Sequence, residues 1–466
     1  MANLSRTKLT AGSLVLLAST TASMALPDVV LCELYSLSQF GTSGSVRALA
    51  LATTSWNIGD SDLPWMQNPD PQHPVIGMNM YRLDNDRFEQ IGVSWLKHGF
   101  FALGDLQCDD SGLPNCVYES GHGIGDYLGQ GCTDTYSASL NAGGLGPRFE
   151  INPWTGAFNY NTSMFNTGGL PGNNTRRLRV EDADMNPAIN PNADYFFEGY
   201  YVHFQDRNHM NSAAWKPCTP VRSGTGNYSF TQSNFNVMPT WGFAIDAWTG
   251  ASQTIVAQQI PVVEGTSPDG RCILAYKVTD NGNGTWHYEY AIMNVDMDRQ
   301  IDEFIIPVPA GVNITNIGFH APDHTEPRAY VNGPVIDNAQ WNGVVSGGEI
   351  RWSTTTNPLR WGSLYNFRFD ADTAPTNVDA EFSRFKTGQA GDLPLFGATQ
   401  GPSAPTPSCA GDINNSGAID VDDLNQILSA FGDNVGIGDP RDIANNDGIV
   451  DVDDLNVVLA AFGDAC

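Results

Sequence analysis

Basic residues are scarce in this chain of 466 residues, because Lys and Arg together number 23 against 51 Asp and Glu, a formal net charge of −28. A charge of this sign and size repels phosphate backbones and anionic lipids, which argues against nucleic acid as a partner and against binding to a membrane surface. Cations and neutral polymers such as glycans match the charge better.

Long apolar runs are also missing. The run at residues 14–18 is much shorter than the ~20 residues that a membrane span needs, and no later run is long enough either. Arg6 and Lys8 precede this run, and the small residues Ser23 and Ala25 follow it. This pattern predicts a signal peptide over residues 1–25 with cleavage after Ala25, and therefore a secreted, extracellular or cell-surface protein without a membrane span.

Tryptophan is absent after residue 396, although the chain has 11. Residues 397–408 consist mainly of Gly, Pro, Thr and Ser, a composition that favours an extended linker. We therefore expect a β-rich domain over residues 26–396, a linker over 397–408 and a separate module over 409–466. Eight cysteines in an oxidising compartment indicate disulfides. Their number does not decide the pairing, but Cys409 and Cys466 bracket the last module, and Cys108 and Cys116 flank a tight segment.

The large domain has little helical periodicity. Short runs of Tyr, Phe, Val and Ile alternate with Gly, Asn, Asp and Pro, which predicts mainly antiparallel β-structure in a sandwich-like or barrel-like stack. Two hairpins are predicted, at residues 80–92 and 275–294. Residues 149–157 and 243–251 match at six of nine positions. This match indicates either two related β-units within the domain or a repeated strand-to-turn segment.

The last module repeats itself at an offset of 31 residues. Residues 420–433 and 451–464 agree at 11 of 14 positions, and each copy follows a loop rich in Asp and Asn with one Gly. Oxygen side chains at alternate loop positions are what a hard cation such as Ca²⁺ requires, and the Gly allows the sharp turn. The predicted ligands of the first loop are Asp412, Asn414, Ser416, Asp420 and Asp423, with the carbonyl of Ala418.

The second loop has a less regular ligand pattern. Counting back from Gly448 gives the predicted ligands Asn445, Asp447, Asp451 and Asp454, with the carbonyl of Ile449. Position 1 then falls on Ile443, which has no side-chain oxygen, and Asp442 can replace it only if the loop bulges. We therefore expect one or two Ca²⁺ ions, with the second site the weaker.

An amphipathic helix is predicted after each loop. Apolar residues recur at helical spacing in both copies, and we expect the two stripes to face each other in a small core. The stripes are Leu424, Ile427, Leu428 and Phe431, and Leu455, Val458, Leu459 and Phe462.

A duplicated calcium loop followed by one helix, placed behind a Pro/Thr/Ser linker, resembles a type I dockerin, an EF-hand-like module. The resemblance covers residues 409–466. It implies an all-α calcium-binding module that docks to a cohesin and tethers an enzyme that degrades polysaccharide. Loop positions 10 and 11, small hydroxyl residues in many cohesin-binding dockerins, are Val421–Asp422 and Val452–Asp453 here. The implied partner is therefore a cohesin-like protein, another surface protein or another part of the same chain.

The large domain offers no motif of comparable strength. Its segments 72–77, 94–101 and 359–369 resemble those of uncharacterised secreted β-domains of planctomycete-type bacteria, and this resemblance implies no activity. Three kinds of candidate site remain, each with a commoner structural explanation. The metal candidates are His320, Asp323, His324 and Glu326, and a looser group of His203, Asp206 and His209. The candidate acids for glycoside cleavage are the strand residues Glu150, Glu198, Asp246, Glu264 and Glu289. The candidates for stacking on sugar rings are Trp56, Trp65, Trp154 and Trp248.

The combined prediction is a secreted protein whose calcium module tethers a β-rich domain that binds or helps to break down extracellular polysaccharide. The alternatives are an active glycoside hydrolase or lyase, which would cleave polysaccharide, for instance by hydrolysing O-glycosyl bonds, and a purely structural surface protein. No catalytic residue can be assigned from the sequence.

Overall fold

A computed structural model of the chain describes residues 25–108, 115–232, 237–257, 270–324, 328–330, 333–386, 393–405, 409–437, 439–445 and 447–466. The predicted signal segment, apart from Ala25, lies outside these residues, as do Glu264 and Glu326. The described chain is mainly β, as the alternating pattern predicted. Among the described residues, no helix is both long and apolar enough to cross a lipid bilayer.

The first β-unit, residues 29–241, is built on one large antiparallel sheet with the strand order β1-β2-β10-β5-β4-β11-β12-β13. Its strands are β1 (Val29–Ser43), β2 (Val46–Asn57), β3 (Leu63–Pro64), β4 (Val75–Asp84), β5 (Arg87–Val93), β6 (Leu96–His98), β7 (Tyr127–Leu128), β8 (Thr133–Tyr136), β9 (Leu145–Gly146), β10 (Leu178–Glu181), β11 (Asp194–Val202), β12 (Ala213–Arg222), β13 (Tyr228–Gln232) and β14 (Thr240–Trp241). Its short helices are α1 (Ala138–Asn141), α2 (Met164–Thr167), α3 (Asn173–Arg176) and α4 (Asp182–Met185).

This sheet curls into a near-barrel. Side-chain bonds join its two edge strands: the amide of Leu37 on β1 donates to Gln232 on β13 (3.0 Å), and the amide of Tyr228 on β13 donates to Gln39 on β1 (2.8 Å). Every residue of β2 is buried, because its two faces lie against different parts of the molecule. The concave side encloses the core of the first β-unit, which includes Leu49, Trp65 and Phe197.

The second β-unit, residues 252–402, is a sandwich of two sheets with the orders β15-β16-β17-β24-β19 and β22-β23-β18-β25-β26. Its strands are β15 (Ser252–Ala257), β16 (Arg271–Asp280), β17 (Trp286–Asn294), β18 (Ile301–Pro307), β19 (Ile314–His320), β20 (Arg328–Ala329), β21 (Val335–Ile336), β22 (Asn342–Ser346), β23 (Glu349–Ser353), β24 (Ser363–Ala371), β25 (Pro375–Arg384) and β26 (Leu395–Pro402). Aromatic residues from both sheets, among them Tyr290, Phe304 and Trp352, fill the space between them.

The two β-units meet along a seam. The outer face of β4, β5 and β11 packs on the outer face of β16, β17 and β24, with Phe88, Met293 and Trp361 in the contact. Hydrogen bonds cross the seam, as where Asn366 Nδ2 donates to the carbonyl of Phe88 (2.8 Å). Both predicted hairpins, β4–β5 and β16–β17, are confirmed and contribute to this seam. The two matching segments lie at its border but differ locally, because the 3₁₀ turn spans Arg148–Glu150 at the start of the first and Ala244–Ala247 within the second.

The end of the β-rich part differs from the predicted boundary. Residues 397–402, placed in the linker by composition, belong to β26, which pairs with β25 along its whole length. The inward positions of β26 include Gly397, Thr399 and Gly401, so small residues occupy its buried face. A side chain at Gly397 would come within 2.7 Å of Val256, which shows why this buried position is small and why hydrophobicity did not reveal the strand.

Three disulfides join described cysteines, consistent with an oxidising compartment. The predicted bond between Cys409 and Cys466 is present, whereas the predicted bond between Cys108 and Cys116 is not. Cys32 bonds to Cys108 and Cys116 to Cys132. The pairing of β2 with β1 and β8 brings these distant segments together, which spacing along the chain does not show. Cys218 and Cys272 are buried as free thiols.

The C-terminal segment, residues 409–466, contains α5 (Val421–Ala430) and α6 (Val452–Ala460). Each helix begins with a capping box. The N-cap residue is Asp420 in α5 and Asp451 in α6, and its side chain accepts the amide two residues later. The carboxylate three residues after the N-cap, Asp423 or Asp454, accepts the amide of the N-cap residue in return. A small core that includes Ile413, Ile427 and Val458 lies between the two copies.

Candidate functional site

The first predicted calcium loop is closed by two of its carboxylates. Asp412 accepts the amides of Ser416 (2.9 Å) and Gly417 (2.9 Å), and Asp423 accepts those of Ile413 (2.8 Å) and Asn414 (3.1 Å). Burial tends to raise the pKa of Asp423, but its bonds from backbone amides outweigh burial and lower the pKa. A carboxylate oxygen has two lone pairs, so both side chains keep acceptor capacity for a cation.

The second loop repeats these bonds with one residue more. Asp454 accepts the amides of Ile443 (2.7 Å) and Ala444 (2.9 Å), and Asp442 accepts that of Gly448 (2.7 Å). Asp442 therefore takes the place of Asp412, although it precedes Asp454 by twelve positions rather than eleven. The extra residue falls between Ala444 and Gly448, and this additional length allows Asp442 to act at position 1.

With Asp442 at position 1, a different residue of the second loop stands at position 3. Ala444 makes the backbone bond that Asn414 makes in the first loop, so Ala444 rather than Asn445 takes the place of Asn414. Ile443, at position 1 by simple counting, packs instead against the small core. The second loop thus keeps its two end carboxylates and differs from the first loop between them.

One carboxylate oxygen of the second loop has no partner. Asp442 is 5% exposed, and its Oδ1 is buried without a hydrogen bond. An unpaired buried carboxylate oxygen is costly, and a bound cation would satisfy it. Within the described ranges, no three His, Cys, Asp or Glu side chains gather closely enough to form a metal site by themselves. The predicted loops also draw on amide, hydroxyl and carbonyl oxygens, which that set of side chains does not include.

The helices of the C-terminal segment expose much of their apolar surface. Ile427 and Val458 are buried, as predicted, but three apolar residues on each helix or at its end are about half exposed. These residues are Val421 (56%), Leu428 (52%) and Phe431 (49%), and at the same offset Val452 (54%), Leu459 (50%) and Phe462 (48%). The expectation that Leu428, Phe431, Leu459 and Phe462 pack between the helices is therefore wrong, because the buried face is centred on Ile427 and Val458.

The two histidines of the His320 loop do not converge. His324 is buried in the second β-unit, where its Nε2 lies 2.7 Å from the hydroxyl of Tyr365. His320 Nε2 donates to the carbonyl of Gln90 across the seam (3.0 Å), and Asp323 lies on the same side as His320, beside a cavity. A metal site that uses both imidazoles is therefore not formed.

The looser group at His203 is similarly divided. His203 is buried, and its Nδ1 accepts the amide of Gln205 (3.1 Å). Asp206 accepts the hydroxyl of Ser212 and the amide of Val29, whereas His209 lies 3.5 Å from Asp296. These contacts give each of the three side chains a structural role.

Acid is expected to destabilise the fold below about pH 6.5, the usual histidine pKa. Burial lowers the pKa of His98 and that of His203 to about 3, so the unfolded chain binds these protons first and stability falls as pH decreases from about 6.5 toward 3. Each group contributes up to about 1.4 kcal/mol per pH unit. Between about pH 7.5 and 5.5, the melting temperature of H203Q should therefore fall less than that of the unsubstituted protein. H122Q, which alters a partly exposed ring, is the control. If the melting temperature of H203Q decreases as much as that of the unsubstituted protein, the expectation is contradicted.

The described strand acids are also separated by their partners. Glu150 accepts the amide of Met164 (2.8 Å), Asp246 bonds to Gln253 (3.1 Å), and Glu289 pairs with Arg87 (2.9 Å). Glu198 is fully buried. Among these four described acids, no hydrogen bond or ion pair joins any two, and each is held by a different set of neighbours.

Three of the four candidate stacking tryptophans are core residues. Trp56, Trp65 and Trp248 are at most 2% exposed, and turn residues beside them do not bring them to the surface. Trp154 is half-buried between Arg271 and His209, at 5.1 and 5.5 Å from its ring centre. These residues therefore do not form an aromatic strip for sugar rings.

Comparison with known proteins identifies no family. No protein-family profile matches the chain, and no curated protein resembles it significantly. Among solved structures, the chain is similar to a serine-rich repeat adhesion glycoprotein from Streptococcus agalactiae, at 10% sequence identity over 82% of this chain and 97% of that chain. The TM-score of 0.19 is too low for this similarity to inform fold or function.

Proposed function

We propose that this is an exported modular protein in which residues 409–466 bind calcium and dock to a surface partner, so that they tether the β-rich part at sites of extracellular polysaccharide. The observation that carries the proposal is the repeated pair of end carboxylates, Asp412 with Asp423 and Asp442 with Asp454, which hold two loops in the same way. The orphaned Oδ1 of Asp442 supports a cation in the second loop.

The donor set is suited to calcium. Carboxylate, amide, hydroxyl and carbonyl oxygens are the ligands of a hard cation, and no sulfur or imidazole ligand is offered. In the first loop the ion would be held by Asp412, Asn414, Ser416, Asp420, Asp423 and the carbonyl of Ala418. In the second it would be held by Asp442, Asp447, Asp451, Asp454 and the carbonyl of Ile449.

Charge gives a second reason for a bound cation. The C-terminal segment has twelve Asp and one Arg, a net charge of −11. Six of the twelve Asp lie within the two loops at predicted ligand positions, besides Asp442, and their mutual repulsion opposes a compact fold. A divalent ion in each loop reduces that repulsion where it is strongest.

Docking is assigned to the exposed apolar residues of the two helices. Exposed apolar surface that repeats at the same positions on both helices is unusual in a segment this acidic, and such patches mark interaction sites. Val421 and Val452 stand where many cohesin-binding dockerins have hydroxyl residues. The partner surface is therefore expected to be more apolar than that of a cohesin that binds hydroxyl side chains.

A paired substitution tests docking. In the secreted chain, L428D combined with L459D places a charge in each apolar patch and should weaken calcium-dependent binding to a panel of immobilised cohesin domains by at least about 100-fold. The matched control is S429D combined with A460D, which adds the same charges at exposed neighbouring positions and should bind as the unsubstituted protein does. Binding is measured by surface plasmon resonance with calcium and with chelator, and equal binding by both double variants would refute this docking surface. Absence of binding to every cohesin would leave the calcium claim standing and reject cohesin as the partner.

A further inference from the structure

A cavity of about 200 Å³ lies where the two β-units meet. Its floor is formed by β10 and its neighbours in the first β-unit, with Val46, Ile91 and Val180 as apolar walls. Asp184 on α4 closes one side, and residues 320–323, which begin at the last residue of β19 in the second β-unit, close the other. Each β-unit therefore supplies part of the lining.

The alternation of β10 explains the polar character of the cavity. Leu178 and Val180 contribute to the core of the first β-unit, and Arg179 and Glu181 alternate with them along β10 and add polar groups to the cavity lining. His320 is held in place by its bond to the carbonyl of Gln90. The polar lining consists of Arg179, Glu181, Asp184, His320 and Asp323.

Arg179 is the residue whose bonding is incomplete. It is 7% exposed, and its Nε and Nη1 are buried without a hydrogen-bond partner. A guanidinium has five N–H donors, and leaving buried donors unpaired costs free energy. Nearby Arg82 differs, because it donates to Glu89 (2.7 Å) and to Asp184 (3.2 Å). Arg179 thus lines the cavity and has two donors that no described residue accepts.

We propose that this seam cavity binds one neutral, hydroxyl-rich ring, a single sugar unit at the end of a glycan. The inference rests on the polysaccharide part of the proposed function and gives it a site. A hydroxyl group both accepts and donates. One hydroxyl of a vicinal diol accepts from Arg179, and its own proton is donated to Glu181 or Asp323.

Charge selects a neutral ligand over an ion. Asp184 is paired with Arg82, which leaves Glu181 and Asp323 against the one guanidinium of the lining, so an anion that satisfied Arg179 would be repelled by these two neighbours. A cation would leave the donors of Arg179 unpaired. Ligand pockets for drug-sized molecules usually measure about 300–1,000 Å³, so a cavity this size suits one ring rather than an oligosaccharide.

The test compares R179M with R351Q in the secreted chain. Arg351 pairs with Glu303 and Glu349 on the outer sheet of the second β-unit, and R351Q removes a guanidinium of similar size that is remote from the cavity. Retention on immobilised polysaccharides and titration with neutral methyl glycosides are measured for each. We expect R179M to bind roughly 10–100-fold more weakly and R351Q to bind as the unsubstituted protein does. R179K, which retains the charge but not the planar donors, should recover only part of the affinity.

Thermal unfolding separates a lost ligand contact from a lost fold. Since Nε and Nη1 of Arg179 are buried without a hydrogen bond, R179M should melt at the same temperature as the unsubstituted protein or higher. A clear decrease in melting temperature would show that Arg179 has a structural role and would overturn the proposal.

The remaining outcomes are distinguishable. If a polysaccharide retains the protein and R179M retains it equally, the cavity proposal fails while the proposed function stands. If glucuronate, sulfate or a zwitterionic amino acid binds in place of neutral glycosides, the ligand class is wrong. If no polysaccharide or glycoside binds the unsubstituted chain, the cavity proposal and the polysaccharide part of the function fail together, and the calcium and docking parts do not.

Discussion

Chelation of calcium is expected to unfold the C-terminal segment and to leave both β-units folded. The segment combines a net charge of −11 with a small core, so little apolar burial opposes the repulsion of its carboxylates. A ligand at 100 times its dissociation constant stabilises a fold by about 2.7 kcal/mol, or about 100-fold in the folding equilibrium. Removing the ion should therefore accelerate amide exchange in α5 and α6 by about that factor.

Hydrogen-exchange mass spectrometry of the secreted chain measures this effect directly. Peptides from α5 and α6 should lose protection in chelator, whereas peptides from β16 and β17 should not change. The cystine between Cys409 and Cys466 remains in both conditions, so the comparison isolates the ion. Unchanged protection of both helices would show that these loops do not depend on calcium.

Single substitutions locate the ions. D412N should weaken the first site and D442N the second, each by about tenfold or more, because each removes a charged ligand. D439N is the matched control: Asp439 pairs with Arg441 (2.8 Å) and lies outside the ligand set. Calcium titration by calorimetry should show D439N unchanged. Equal affinities for D442N and D439N would mean that the second loop does not use Asp442.

Replacement of Glu198 with alanine is expected to destabilise the β-rich part by about 3–5 kcal/mol. Glu198 is fully buried and accepts three bonds, from Asn79 Nδ2 (2.7 Å), the hydroxyl of Tyr81 (3.0 Å) and the amide of Ala244 (2.6 Å). Alanine would remove the shared acceptor of three buried donors, which costs more than the loss of the bonds alone.

The position of Glu198 at the seam extends this effect to both β-units. Asn79 also donates to the carbonyl of Gly362 in the second β-unit (3.3 Å), so loss of the carboxylate loosens a contact between the units. E198A should lower the midpoint of urea unfolding, whereas E349A, which removes an exposed ion pair with Arg351, should change stability by less than about 1 kcal/mol. Similar midpoints for the two variants would contradict the assignment.

The pH of this measurement matters. Burial raises the pKa of Glu198 to about 7, above its usual value in an unfolded chain, so the folded state binds this proton more tightly. The stabilisation due to that proton is present below about pH 4.5 and is lost as pH increases through about 7. Unfolding at about pH 8 therefore compares alanine with the ionised carboxylate, for which the three donors are arranged.

Some of these features were predictable from local sequence. Two hairpins followed from alternating residues around Asp/Asn/Gly turns, and the helices α5 and α6 followed from the helical spacing of apolar residues after each loop. The disulfide between Cys409 and Cys466 followed from the limits of one short repeat. Such features depend on residues close in the chain, where turn geometry and side-chain periodicity are strong constraints.

Other expectations failed where the outcome depended on distant partners. Cys108 bonds to Cys32 rather than to Cys116, because the neighbours of β2 in the sheet bring residues 76 positions apart together. Leu428 and Phe431 have helical spacing but lie beside the buried face, not on it. A periodic pattern predicts which residues share a face, and it does not define how wide a face the neighbouring element covers.

By itself, the sequence determined the β-rich character, the duplicated acidic loops and the helices that follow them, since each depends on short-range chemistry. Only the tertiary structure decided that Asp442 takes the place of Asp412, that His320 and His324 separate, and that Arg179 borders a cavity with two donors that no described residue accepts. The physical reason is the same in each case. Whether a polar side chain is satisfied depends on atoms that folding brings from elsewhere in the chain, and those atoms cannot be read from its neighbours in sequence.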